Sequence, residues 1–168
     1  MSRAFVMEDG PDNAPLPDLP VSPLANHVTR TWLKSLQSRL AETQARLQAL
    51  RARPDRLDRL PEAAAERDIR SIEARLRTAI LIDPAGHPLS EMAFGLRVTV
   101  ADETGARTGC DITGADEADA SHHRIAPQSP LGRALLGGAR VGEVVTWRKP
   151  GGPVAPEIIR ITHADPPT

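Results

Sequence analysis

Cysteine and aromatic side chains are nearly missing from this sequence: Cys110 stands alone, there is no tyrosine, and the rings are Phe5, Trp32, Phe94 and Trp147. A lone cysteine excludes an internal disulfide and suits a reducing compartment. So few rings exclude a base-stacking platform for single-stranded nucleic acid. His122, His123 and Cys110 lack the spacing of a zinc site and read as a loop histidine pair and a strand thiol. Charge of one sign is also lacking, with 21 basic against 22 acidic residues and a net charge of −1, so no strong non-specific pull toward nucleic acid is implied. No run approaches the roughly 18 apolar residues of a membrane span, and no basic-then-apolar signal opens the chain. The expectation is a soluble, cytoplasmic protein without a membrane partner.

What the sequence does have is a leucine/isoleucine seam that runs out and returns. Leu33, Leu36, Leu40, Thr43, Leu47 and Leu50 fall three and four apart, and Ile69, Ile72, Leu76 and Ala79/Ile80 repeat the spacing. Two such stripes can hide from water by facing each other, and the short Pro/Asp/Arg-rich stretch between them forces antiparallel packing. The spacing therefore predicts a helical hairpin, each arm of about 22 residues reaching about 33 Å. Periodicity alone equally allows a dimerising coiled coil or half of a four-helix bundle.

The remainder divides at composition breaks. Residues 1–27 hold Pro11, Pro15, Pro17, Pro20 and Pro23 with few large apolar residues, and read as an extended or disordered leader. The hairpin follows over 28–83, with Thr29 offered as N-cap, and Asp83-Pro84 opens a linker over 84–92. From 93 to 164 the period becomes two. Phe94, Leu96, Val98 and Val100 alternate with smaller or polar residues, Asp102-Glu103-Thr104-Gly105 supplies a turn, and Arg107–Thr113, Val141–Arg148 and Glu157–Thr162 supply further strands. Ser129 as N-cap, Pro130 at the first position and Gly137 as a left-handed end punctuate one short helix over 130–136, with Leu131, Leu135 and Leu136 toward the sheet. The class is α+β. The acidic loop Gly114-Ala115-Asp116-Glu117-Ala118-Asp119 reads as solvated rather than metal-binding, since it lacks EF-hand punctuation.

The order of hairpin, Asp-Pro linker, Phe94-Gly95 strand start, Gly114–Asp119 loop, and Ser129-Pro130-Leu131-Gly132-Arg133-Ala134-Leu135-Leu136-Gly137 before Val141-Gly142-Glu143 resembles the bacterial GreA/GreB transcript-cleavage factors. The leader, from Ser2-Arg3-Ala4-Phe5-Val6 to Val28-Thr29, is similar to that of some proteobacterial members. The resemblance implies an FKBP-like C-terminal domain docked at the rim of the RNA polymerase secondary channel, with the coiled coil entering it. It implies a polymerase contact at Gln128, Ser129, Pro130 and Arg133, where some members carry an acidic residue at the position of Gln128. Nucleic acid would be met only indirectly, through the transcription complex.

At the hairpin tip the chain departs from that pattern. The family carries a Gly-Asp-x-x-Glu-Asn-Ala-type stretch whose acids help hold a polymerase magnesium ion. Here about a dozen residues are missing, which shortens the reach by about 9 Å. The tip reads Arg53-Pro54-Asp55-Arg56-Leu57-Asp58-Arg59-Leu60-Pro61-Glu62. Asp55 and Asp58 could offer oxygen ligands, but Arg51, Arg53, Arg56 and Arg59 oppose a divalent cation. A solvated turn, a regulatory contact through Asp55, Arg56, Asp58 and Arg59, and magnesium-assisted cleavage using Asp55 and Asp58 all remain open. The expectation is a polymerase accessory factor with no catalytic residues and no cofactor of its own, polymerase-bound magnesium being relevant only to an active tip. A short-hairpin regulator like the nucleoside diphosphate kinase regulator group is the other reading. Prolyl isomerase activity is disfavoured, since only Phe94 and Trp147 could wall its pocket.

Overall fold

The structure is a computed structural model that describes residues 15–55 and 58–164. Among these the chain forms two compact units, one comprising Ser35–Arg77 with the described part of Met1–Pro23, the other Leu24–Lys34 with Thr78 onward.

The first unit is built on two helices, α1 (Arg30–Arg51) and α2 (Leu60–Thr78). Leu36 and Leu47 are the buried positions of α1, and Glu62, Ala65, Ser71 and Ile72 those of α2. Ala65 is 0% exposed, so the helices close tightly at that level. Ion pairs Arg46–Asp68 (3.4 Å) and Arg51–Glu66 (2.7 Å) link the arms in antiparallel register. Both pairs are substantially exposed and contribute little beside the apolar seam. The segment read as a leader is tied down in part: Arg70 donates to the Leu16 carbonyl (2.8 Å) and to Asp18 (2.7 Å). Residues 1–14 lie outside the described residues.

In the second unit, β1 (Asn26–Val28) pairs in parallel with β2 (Ala79–Leu81), so the chain entering α1 and the chain leaving α2 run side by side. Residues 26 and 27, taken above as leader, are thus strand. Ala79 and Ile80, which continue the heptad spacing, are strand too: the ladder offered by β1 outweighs helical periodicity once the helix ends at Thr78. Asn26 donates to Thr78 (3.2 Å), and Arg30 pairs with Asp83 (2.8 Å).

The main sheet has the order β5-β4-β3-β8, with β3 at Leu96–Ala101, β4 at Arg107–Ile112, β5 at Arg124–Ile125 and β8 at Glu157–His163. Alternation places Leu96, Val98 and Val100 on the core face with Cys110, Ile112 and Ile158. Helix α3 (Pro130–Leu136) covers that face through Leu131 and Leu135, while Leu136 is half-buried. Each fully buried side chain of this kind contributes about 1.5–3 kcal/mol. The register shifts between Thr99 and Val100, bulging β8 at Ile159. The strand starts at Leu96 rather than Phe94 because Gly95 has φ +83°, a left-handed turn.

Two expectations are corrected here. The run Val141–Arg148 is not one strand: Gly142 at φ +87° breaks it, and only Trp147–Lys149 (β6) is extended, in a separate hairpin with Gly152–Val154 (β7). Gly137 is not left-handed (φ −72°); Gly138, at φ +93°, makes the turn instead.

The acidic loop is also not wholly solvated. Glu117 is 5% exposed, and its two oxygens take the Thr29 backbone N–H (2.8 Å) and hydroxyl (2.9 Å). The same hydroxyl oxygen accepts from the Trp32 N–H (3.2 Å), capping α1 as expected. Gly114 permits this approach, because a Cβ there would lie 2.2 Å from the His27 carbonyl oxygen. Burial pushes the Glu117 carboxyl above its ordinary value of 4.5, against the opposing hydrogen bonds from Thr29 and Gly114 and the charge of Arg124.

Leu47→Ala removes a buried seam contact and should cost about 2–4 kcal/mol, read as a lower helical melting temperature. A larger effect is expected from Ala65→Leu than from an exposed control such as Ala49→Leu, because the seam has no room at Ala65. The pH profile of stability tests Glu117. The folded state holds this proton more tightly than the unfolded chain, so its contribution is full below about pH 4.5 and is lost as pH rises through the folded value. Asp83, Asp102 and Asp119 lie below the ordinary 3.8, so their contribution is present above it and is lost as pH falls through their folded values. Glu117→Gln should remove the decline that sets in above the ordinary carboxylate value, keep the acid-side loss, and cost about 1–3 kcal/mol by turning an amide N–H toward a Thr29 donor. A variant profile that parallels the wild type would remove Glu117 as the source of that decline.

Candidate functional site

Two surface features gather the residues singled out by the sequence. The first is the N-terminal end of α3. Ser129 has extended backbone (φ −65°, ψ 158°), and its hydroxyl accepts from the Gly132 N–H (3.0 Å) while donating to the Ala126 carbonyl (2.8 Å). Pro130 follows at the first helical position, where its missing N–H costs nothing. The Arg133 guanidinium folds back to donate to the Gln128 carbonyl (2.9 Å). Gly132 is enforced, since a Cβ would come within 2.2 Å of the Ala126 carbonyl oxygen. Gln128, Pro130 and Arg133 are exposed and Ser129 is half-buried, so the structure brings all four together at one loop–helix junction. A rigid proline face beside a fixed guanidinium is suited to a protein partner rather than to bond-making chemistry.

The second feature is the hairpin tip. Helix α1 stops at Arg51 and α2 begins at Leu60. Asp55, Asp58 and Arg59 are exposed, and Arg56 lies outside the described residues. One Asp58 oxygen accepts the Leu60 N–H (2.9 Å), closing the helix start. Glu62 sits in the first turn, where an acid favours the helix dipole. One oxygen of Asp58 is thus engaged in capping, and Arg51, Arg53 and Arg59 flank Asp55 and Asp58 in the chain. Among the described residues no group of three or more His, Cys, Asp or Glu side chains is placed to hold a metal ion.

Other chemistry-bearing residues are accounted for locally. Cys110 lies in the core, where burial raises its thiol above the ordinary value of 9.0 and suppresses the thiolate. Asp119 accepts from the Ser121 hydroxyl (2.6 Å) and N–H (2.9 Å) and pairs with His122 Nδ1 (2.8 Å); the Ser121 bonds first, then His122, hold its carboxyl far below the usual range. Ser121 also meets His122 at Nδ1 (3.1 Å), the nitrogen that faces Asp119, so the imidazole cannot relay a proton from serine as in a hydrolytic triad. Sequence reasoning missed the Thr29–Glu117 bonds and the bidentate Arg97–Asp111 pair (2.6 and 2.9 Å). The first joins positions 88 apart and leaves no local pattern; the second follows only once the β3–β4 register sets Arg97 opposite Asp111.

No helix among the described residues is long and apolar enough to cross a membrane. Residues 87–163 match the family described as transcription elongation factor, GreA/GreB, C-terminal. The transcription elongation factor GreA of Pseudomonas aeruginosa is 39% identical over 104 residues, covering 61% of this chain and 65% of that protein. GreA of Caldanaerobacter subterraneus is 37% identical over 101 residues, covering 60% and 64%. The chain therefore spans just under two thirds of the length of these relatives. Among solved structures, GreA factor homolog 1 of Thermus thermophilus aligns over 83% of this chain and 99% of its own at 25% identity, with a TM-score of 0.39. The GreA/GreB factor of Nitrosomonas europaea aligns over 82% and 99% at 21% identity, with a TM-score of 0.42. Superpositions that loose carry no argument beside the sequence match, and it is residues 87–163, the segment that holds the main sheet and α3, that match the GreA/GreB C-terminal family.

Proposed function

We propose that the protein binds bacterial RNA polymerase at its secondary channel and regulates transcription elongation without itself supplying the acids for transcript cleavage. The observation that carries this reading is the pairing of a family-matched domain, with its exposed Gln128-Ser129-Pro130-Arg133 junction, and a short arginine-rich hairpin turn in which Asp58 caps a helix. Docking falls to the junction: Pro130 offers a preset apolar face, Arg133 a fixed donor, and Ser129 holds both in place. The arm then acts as an occupant. Its arginines favour the acidic, magnesium-binding surroundings of a polymerase active centre, and no step requires the protein to hold a metal. It is accordingly an accessory factor and not an enzyme in its own right.

Ser129→Ala with Pro130→Ala should keep the circular dichroism spectrum and lose polymerase in a pull-down, by at least tenfold in affinity. Unchanged capture by the folded variant would remove the junction as the contact. On backtracked transcription complexes the wild-type protein should leave cleavage at the polymerase's own rate. It should lower the activity of an added cleavage-competent GreA as its concentration rises. Asp55→Ala with Asp58→Ala should behave like wild type, and Arg56→Glu with Arg59→Glu should weaken the competition. Robust magnesium-dependent cleavage that disappears in the double aspartate variant would replace the occupant reading with that of an active cleavage factor.

A further inference from the structure

The near-zero net charge of the chain conceals a local segregation on the main sheet. The face of β3, β4, β5 and β8 turned away from the core carries Arg97, Arg107, Arg124 and Arg160. Strand register sets them in rows: Arg124, Asp111, Arg97 and Thr162 across the first, Gly109, Thr99 and Arg160 across the second, and Arg107, Ala101 and Glu157 across the third. Asp111 is consumed by its bidentate pair with Arg97. Glu157 stands at one corner, and Arg124 also feels the buried charge of Glu117. Arg107 and Arg160 are exposed, and their side chains form no hydrogen bond or ion pair among the described residues.

Small residues fill the middle of this face. Gly109 is exposed, and a Cβ built there would meet only the Arg97 side chain, at 4.0 Å. With Thr99 and Ala101 beside it, the centre is lined by small side chains, with Arg97, Arg107 and Arg160 at neighbouring register positions. Four strands at about 4.8 Å spacing make the face about 14 Å wide, enough to lie across several phosphates.

We infer that this sheet face is a docking surface for the sugar-phosphate backbone of duplex DNA, with Arg107, Arg124 and Arg160 as the phosphate contacts. All of its cations are arginines, whose planar fork matches phosphate oxygens in pairs. The face carries no aromatic ring, so it offers nothing to the unstacked bases of a single strand and only positioning contacts to a duplex. The choice of DNA rests on the transcription role proposed above, since every transcription complex holds a DNA duplex; the binding itself is measured without polymerase, which keeps the two readings separable.

The test is fluorescence anisotropy of a short labelled DNA duplex with the full chain at increasing salt. Three phosphate contacts give a log-affinity against log-salt slope of about −2.7, and Arg107→Gln with Arg160→Gln should bring it to about −0.9 while weakening low-salt binding about tenfold or more. Arg39→Gln, an exposed arginine on α1, should match wild type, and circular dichroism should show both variants folded. The inference is overturned by absence of duplex binding at low salt, by a double variant that binds like wild type, or by equal or tighter binding of single-stranded DNA, duplex RNA or polyglutamate. Polymerase capture through Ser129-Pro130 is expected to survive the double variant in either case.

Discussion

Two oxygens of Glu117 on the two donors of Thr29 hold together what the rest of the second unit needs. Thr29 is where β1 ends and α1 begins, so its backbone N–H and hydroxyl are the last groups before the helix ladder starts. Each Glu117 oxygen takes one of them. The arrangement exacts a desolvation cost, visible in the raised carboxyl of Glu117, and the bonds to Thr29 offset part of that cost where Gly114 allows the close approach. The parallel pairing of β1 with β2 then secures the other root of the hairpin, at Ala79–Leu81.

The same economy marks the α3 junction. Ser129 serves as cap and as a donor back to the loop, Gly132 allows the loop carbonyls to come close, and Arg133 is oriented by the Gln128 carbonyl. Gln128, Pro130 and Arg133 remain exposed beside these bonds. A capping serine and a contact serine are therefore not competing descriptions. Among the described residues Cys110 is buried, His122 Nδ1 faces both Ser121 and Asp119, and one Asp58 oxygen caps the start of α2.

Charge shows why composition is a poor guide to surface chemistry. The sequence balances its acids and bases almost to zero. Strand pleating then places Arg97, Arg107, Arg124 and Arg160 on one face of the sheet with Asp111 and Glu157, while other acids of the same stretch go to turns and to the buried Glu117. Alternation with period two makes neighbours of residues far apart in sequence, as Arg97 and Arg160 are.

The sequence by itself determined whatever depends on nearest neighbours. The three-four spacing of Leu33, Leu36, Leu40, Thr43, Leu47 and Leu50, and of Ile69, Ile72 and Leu76, settled the helices, alternation from Leu96 to Val100 settled the central strand, and Ser129-Pro130 settled the start of α3, because periodicity and capping are local forces. Tertiary structure decided what local forces leave undetermined. Ala79 and Ile80 fit a heptad as well as a strand, and only β1 lying alongside made them strand. The Val141–Arg148 run looked extended until Gly142 turned it. The Gly114–Asp119 loop looked solvated because acids usually are, and the burial of Glu117 required a donor pair 88 positions away, brought within 3 Å only by the folded chain.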